Sequence, residues 1–368
     1  MDYSTNNLNS KVNSVPKKEL GRYLIIASSV GFAIVALVQL LDASQILLIG
    51  FTNFRPLLTA FILWSLTFGY GQVLSRGEAG SRALFILPAI LYTVAFVIFP
   101  TIFGLYIAFS DWNLAAFEGH HLNGLDNIIL MLGDKYFWNA LGNMVWYVLA
   151  VFAQYAIAFG LAMLLNAEIR ARKFFRVAFL MPFMMSPVAV SWMVGKSLME
   201  YRYGPLANIA RFFGFENPAF FASPWSARLS IMIMDAWVSI PFIMILLLAG
   251  LQALPKEVLE AAKVDGASAI QSFKKIVFPL MLPVSITAIV LRIIGELKLA
   301  DIVITMTAGG PGGATDTVSS FIYREYRDRS NVGYATMLAE IYLVVVTIFV
   351  TLVLFAANRI LAKYANES

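Results

Sequence analysis

The chain has 368 residues, of which 60% are hydrophobic and only 13% charged, with a mean hydropathy of +0.75. Soluble domains run nearer about 45–50% apolar and about a quarter charged, so soluble, disordered and fibrous readings are excluded and the chain is placed in a bilayer. Lys plus Arg is 27 against 22 Asp plus Glu, a net charge of +5, and the lack of cysteine removes disulfides, iron–sulfur clusters and thiolate metal sites.

Residues 1–22 are polar and carry Lys11, Lys17, Lys18 and Arg22, with no small-residue cleavage site behind them. They read as a cytoplasmic tail leading into an uncleaved anchor. A helix crossing ~30 Å of hydrocarbon needs about 20 apolar residues. Runs at 24–41, 57–74, 83–109, 138–165, 174–199, 229–251, 279–307 and 335–357 therefore predict an all-α integral membrane protein of about eight spans. The first two make a two-helix extension over 23–75, the next six a membrane domain over 83–357, and 358–368 a second tail. With the N-terminus inside, the inner stretches (1–22, 75–82, 166–176, 252–276, 357–368) hold 16 Lys and Arg. The outer ones (42–56, 110–137, 200–228, 308–334) hold 8. That bias predicts both termini in the cytoplasm and accounts for the pI near 9.2 without nucleic acid.

The outer loops carry turn chemistry at Asn123-Gly124, Tyr203-Gly204-Pro205 and Gly309 to Gly313, and none is long enough for a sizeable extracellular domain. His120 and His121 read as solvated loop residues with too little polarity around them for a metal site. In the fifth span Gly195-Lys196-Ser197 echoes the end of a phosphate loop. Val190 stands where its first glycine belongs, so it reads as a chance match. Lys196 and Glu200, four apart, read as a snorkelling pair.

Polar groups inside spans are costly and tend to face the bundle interior. The sixth span contains Asp235, Trp237, Ser239, Pro241 and Phe242. Pro241 lacks an N–H and can break the helix, freeing carbonyls for ligand hydroxyls. The aromatic rings suit a pyranose face, and Asp235 and Ser239 offer hydrogen bonds; the alternative is a kinked packing helix. The seventh span holds Arg292, Glu296, Lys298 and Asp301. Arg292 and Glu296 lie four apart on one face, which allows an internal salt bridge, and Lys298 can pair with Asp301 likewise. The other reading is substrate contact, where a cation left over would point to an acidic, sulfonated or phosphorylated sugar.

Between these spans lies the segment 254–279. Pro255 suits a first helical turn, and Glu257 and Glu260 follow near the positive end of the helix dipole. Gly266 can end that helix and Ser268 can cap a second, 269–277, before Pro279 opens the next span. The product is a helix–turn–helix on the cytoplasmic face with small apolar and charged residues exposed, a plausible peg for another protein's groove. A connector that packs only on its own bundle is the alternative.

Glu260-Ala261-Ala262, Asp265-Gly266-Ala267-Ser268, Phe273, Ile276 and Pro279 resemble the EAA coupling loop of ATP-binding-cassette (ABC) importer permeases. Ala249 to Pro255, Asp301, Thr307 to Pro311 and Gly333-Tyr334-Ala335 resemble its sugar-permease branch, and the extra N-terminal pair resembles the maltose-type subunit. Phe278, where the family usually has Leu, and Glu340, where a small residue is usual, depart from the pattern. The resemblance implies a type I importer core in the bacterial cytoplasmic membrane that hydrolyses nothing itself. Glu260, Ala261, Ala262, Asp265, Gly266, Ala267 and Phe273 would couple it to a separate ATPase dimer, which holds the ATP and Mg; this chain needs no cofactor. It further implies a second permease subunit as heterodimer partner and an extracytoplasmic binding protein that delivers a sugar-like solute. Asp235, Trp237, Ser239, Phe242, Arg292, Glu296, Lys298 and Asp301 would line the substrate path. Other cargo such as glycerol phosphate or polyamine stays open, as does an ion-coupled secondary transporter, which would leave the hairpin without a task. A membrane glycosyl-transfer enzyme would need a carboxylate cluster or metal motif that the sequence lacks.

Overall fold

The protein, seen in a computed structural model, is described over residues 14–43, 53, 55–117, 119–167 and 169–367. Residues 1–13 of the expected tail and most of the expected outer stretch 42–56 lie outside the described residues. The described chain is built from helices and divides into two compact units, with the boundary after Phe103.

The first unit holds α1 (Ser14–Ala43), α2 (Arg55–Arg76) and most of α3 (Glu78–Ala108). The Trp64 indole of α2 donates to Ser29 Oγ of α1 at 3.1 Å and stacks on Phe32 with centroids 5.3 Å apart. Close approach is possible because Gly71 has no side chain: a Cβ there would lie 2.9 Å from the Gly21 carbonyl oxygen. Gly77, at φ 58°, makes the tight turn between α2 and α3.

The second unit contains α4 (Asp126–Gly133), α5 (Lys135–Asn166), α6 (Arg172–Met184), α7 (Pro187–Lys196), α8 (Pro205–Phe212) and α9 (Pro224–Gln252). There follow α10 (Lys256–Val264), α11 (Ala269–Glu296), α12 (Asp301–Met306), α13 (Val318–Arg327) and α14 (Val332–Glu367). Several starts are fixed by local chemistry. Asp134 accepts from the Tyr136 N–H, Ser223 and Thr317 form capping boxes, and proline occupies the first turn of α7, α8 and α9. Helices α5 and α9 run side by side in the same direction. One apolar core joins their first halves around Phe137, Tyr147, Ile231 and Phe321. A second joins their later halves around Phe159, Leu165, Leu247 and Met281.

Seven helices are long and apolar enough to cross a membrane, and α6 with α7 supplies an eighth as one bent pair. The expected count of about eight spans therefore holds, but three spans differ in form. The fifth, expected as one span over 174–199 with room for tilt or a break, bends by 97° between α6 and α7. Pro187 biases the preceding residue toward extended backbone, and Ser186 sits at φ −61°, ψ 131°. The seventh, expected over 279–307, stops at Glu296 and resumes at Asp301. Its freed carbonyls are taken by distant side chains. Tyr342 donates to Leu297 O at 2.7 Å, Ser319 to the same oxygen at 3.3 Å, and the Thr317 hydroxyl to Leu299 O. In the sixth, Pro241 does not break the helix, because α9 runs through it without interruption. The second helix of the hairpin is likewise no separate element. It is the first turns of α11, passing through a π turn at Phe273–Val277 into the span.

Candidate functional site

The hairpin is closed by two interlocked caps. At the end of α10, Ala267 N–H donates to Ala262 O at 2.9 Å and Gly266 N–H to Lys263 O at 3.1 Å, with Gly266 at φ 74°. That pair of bonds around a left-handed glycine is a Schellman motif. Ser268 then accepts from the Gln271 N–H at 3.3 Å while the Gln271 side chain accepts from the Ser268 N–H at 2.8 Å, a capping box that starts α11. The turn is thus rigid in backbone while its side chains stay open. Glu260, Ala261, Asp265 and Gly266 are exposed, Ala267 is half-buried, Ala262 packs inward, and Val264 is 87% exposed. Phe273 points the other way. Its ring lies 5.6 Å from Phe159 and 6.0 Å from Phe278, so it anchors the hairpin to the second core.

A charged layer lies between the two cores. Arg292 of α11 pairs with both Asp235 of α9 and Glu296 of its own helix. Gln154 of α5 ties them together, donating to Asp235 Oδ2 at 2.7 Å and accepting from Arg292 Nε at 2.9 Å. Ser239 adds a long bond to Asp235 Oδ1 at 3.4 Å. All four principal members are buried, Glu296 to 1% exposure. Charges in such a place survive only when paired and hydrogen-bonded.

The structure therefore gathers Asp235, Ser239, Arg292 and Glu296 and leaves the other expected lining residues apart. Trp237 lies on the wall of an apolar cavity of about 410 Å³ with Pro182 and Ile240. Phe242 stacks on Phe183 at 5.5 Å. Lys298 is exposed, and no ion pair joins it to Asp301 among the described residues. Asp301 lines a second cavity, of about 600 Å³, with Trp192, Lys196, Tyr323 and Arg327. The Lys196–Glu200 pair does not form. Lys196 Nζ lies 4.2 Å over the Trp192 ring, and Glu200 caps the backbone N–H groups of Arg202 and Tyr203 at 2.7 and 2.6 Å. Residues 187–196 are helical throughout, so no loop precedes Gly195 to cradle a phosphate.

At the opposite end from the hairpin, the glycine-rich loop 307–317 is fastened onto α5. Asn139 and Asn143 donate to Gly313 O at 2.6 and 3.1 Å, Asn143 to Asp316 O at 2.9 Å, and Tyr147 to Thr315 O at 2.9 Å. Asp316 is fully buried against Arg324 and Ser320. Burial pushes its carboxyl up to about 6, against the pull of Arg324. Gly309 is required beside it: at φ 84°, a Cβ would sit 2.3 Å from Asp316 Oδ1. His121 lies exposed 3.7 Å from Asp111, whose carboxyl is held below the ordinary range chiefly by the His121 backbone N–H.

Gln154, Asn143 and Tyr147 were not singled out from the sequence, although each is a hydrogen-bonding group inside an apolar span, the signal that could have marked them. Trp192, Tyr323 and Arg327 carried no such signal, since rings and arginine are ordinary near a membrane surface.

The protein is thus a many-span helical bundle with an internal charged layer and a capped hairpin at one end. The chain belongs to the family described as the binding-protein-dependent transport system inner membrane component, whose model matches residues 156–364. It is a multi-pass inner membrane protein and the permease component of an ABC transporter. It is 32% identical to the trehalose/maltose transport system permease protein of Thermococcus litoralis, over 68% of this chain and 84% of that one. It is 29% identical to the sulfoquinovosyl glycerol transport system permease protein of Agrobacterium fabrum, over 73% and 87% respectively. Its fold matches that of a bacterial ABC transporter involved in the import of the acidic polysaccharide alginate, with a TM-score of 0.66, 22% identity, and coverage of 76% of this chain and 95% of that one.

Proposed function

We propose that this permease carries a saccharide or saccharide derivative into the cell, with both termini and the 254–279 hairpin on the cytoplasmic side. The observation that carries the reading is the doubly capped hairpin, which holds Glu260, Ala261, Val264 and Asp265 outward on a fixed backbone. A rigid peg suits transmission of a push from a partner's groove, because a flexible loop would absorb it. That partner is a separate ATPase dimer, a second permease subunit completes the pathway, and an extracytoplasmic binding protein delivers cargo. The saccharide class is supported by the named cargo of the two curated relatives. The 2:1 bias of Lys and Arg supports the orientation. Trp237, Ser239, Phe242, Lys298 and Asp301 are proposed to meet cargo along its route, and Asp235, Arg292 and Glu296, buried in mutual ion pairs, to do so when that layer opens.

Uptake by the complete importer in proteoliposomes tests this. Labelled neutral and acidic saccharides, glycerol 3-phosphate and spermidine are offered with and without internal ATP. ATP-dependent accumulation of a saccharide is expected. Accumulation of glycerol 3-phosphate or spermidine alone, or saccharide uptake indifferent to ATP, would contradict the reading.

A further inference from the structure

We infer that the 600 Å³ cavity formed by α7, α12 and α13 is a recognition site for an anionic saccharide, an inference that rests on the saccharide-import reading above. Two cations line it, and each is held against a ring. Lys196 Nζ lies 4.2 Å over Trp192, and Arg327 donates to the Tyr323 hydroxyl at 2.8 Å with its guanidinium 5.6 Å from that ring.

The neighbouring arginines show what is unusual here. Arg324 pairs with Asp316 and Arg329 with Glu325, so each carries its own carboxylate. Arg327, between them in sequence, has none. Among the described residues neither Lys196, Arg327 nor Asp301 forms an ion pair. Two cations and one carboxylate give the lining a net charge of +1.

Unpaired charges are not left against hydrocarbon, so the mouth of this cavity opens onto water or protein and not onto lipid. The chemistry of the lining then selects an occupant. The indole and phenol faces suit the apolar side of a sugar ring. Lys196 and Arg327 suit a carboxylate, sulfonate or phosphate group through charge-assisted bonds. Asp301 and Thr305 can take hydroxyl groups. A neutral sugar would satisfy the rings and leave both cations without a counter-charge. A second permease subunit supplying a carboxylate is the competing occupant.

The test is equilibrium binding to the complete importer complex in nanodiscs, using glucose, glucuronate, glucose 6-phosphate and 6-deoxy-6-sulfoglucose. At least one anion is expected to bind about tenfold or more tightly than glucose. Arg327→Gln and Lys196→Met should each remove most of that preference, while Arg327→Lys retains it. Equal affinities, a preference that survives both substitutions, or no binding by any of the four overturns the site. So does separation of the two permease subunits in either variant, which would assign the cations to an inter-subunit contact. ATP-dependent uptake on the same preparation separates the two failures. Accumulation of a saccharide without anion preference overturns this site alone, and no saccharide accumulation overturns the import reading as well.

Discussion

Arg292 is the residue on which the middle of the bundle depends. It answers Asp235 on α9 and Glu296 on α11, and Gln154 brings in α5, so three helices meet at one guanidinium. Removing one partner of a buried pair leaves the other charge without compensation, at a cost of about 3–5 kcal/mol. Arg292→Met is therefore expected to lower the melting temperature of the purified complex sharply, and the double change Arg292→Met with Asp235→Asn should recover part of the loss. Equal melting of the single variant and the parent chain would refute this role. Half of the cluster was legible beforehand. Arg292 and Glu296 are four apart, and helical spacing alone brings them together. Asp235 and Gln154 come from other helices, and periodicity within one segment carries no information about the register between segments.

At the scale of elements, the caps were readable and the breaks only partly so. Pro255, Gly266 and Ser268 announce the hairpin because the chemistry of each acts within four residues of it. The 185–187 bend has a local cause in Pro187, yet the hydrophobic run passes through it unmarked. The interruption at 297–300 has no proline or glycine of its own. It is held open by Thr317, Ser319 and Tyr342, which lie 18 to 45 residues away in sequence. Thr317 does two tasks there, capping α13 through the Ser320 N–H at 3.1 Å and donating to Leu299 O. Thr317→Val keeps the shape and removes both bonds, so a destabilisation of about 2–4 kcal/mol is expected from the lost cap and the orphaned carbonyl. Faster amide exchange over 297–306, reversed in Thr317→Ser, is the accompanying signature. Unchanged exchange in the valine variant would show that the break has another cause.

For the whole molecule, composition settles the solvent, and the apolar runs settle the number of crossings, because hydrocarbon thickness imposes a length that side-chain detail cannot alter. What composition cannot give is which polar groups end up facing one another. Hence Asp301 and Lys196 belong to separate spans in the sequence and share a cavity only through the packing of α7 and α12. The same placement puts the hairpin and the fastened glycine-rich loop at opposite ends of one bundle, with the charged layer between its two cores. Such an arrangement fits a device that is pushed at one end and receives cargo at the other.

The push is the central claim, and one exposed alanine reports on it most directly. Ala261 is exposed on α10 while its neighbour Ala262 is buried, so enlarging Ala261 leaves the bundle intact. In the complete importer, Ala261→Arg should cut ATP-dependent saccharide uptake by about tenfold or more, with the permease pair still assembled and the melting temperature unchanged. Uptake at the parent rate with that bulky cation on the hairpin would contradict the account.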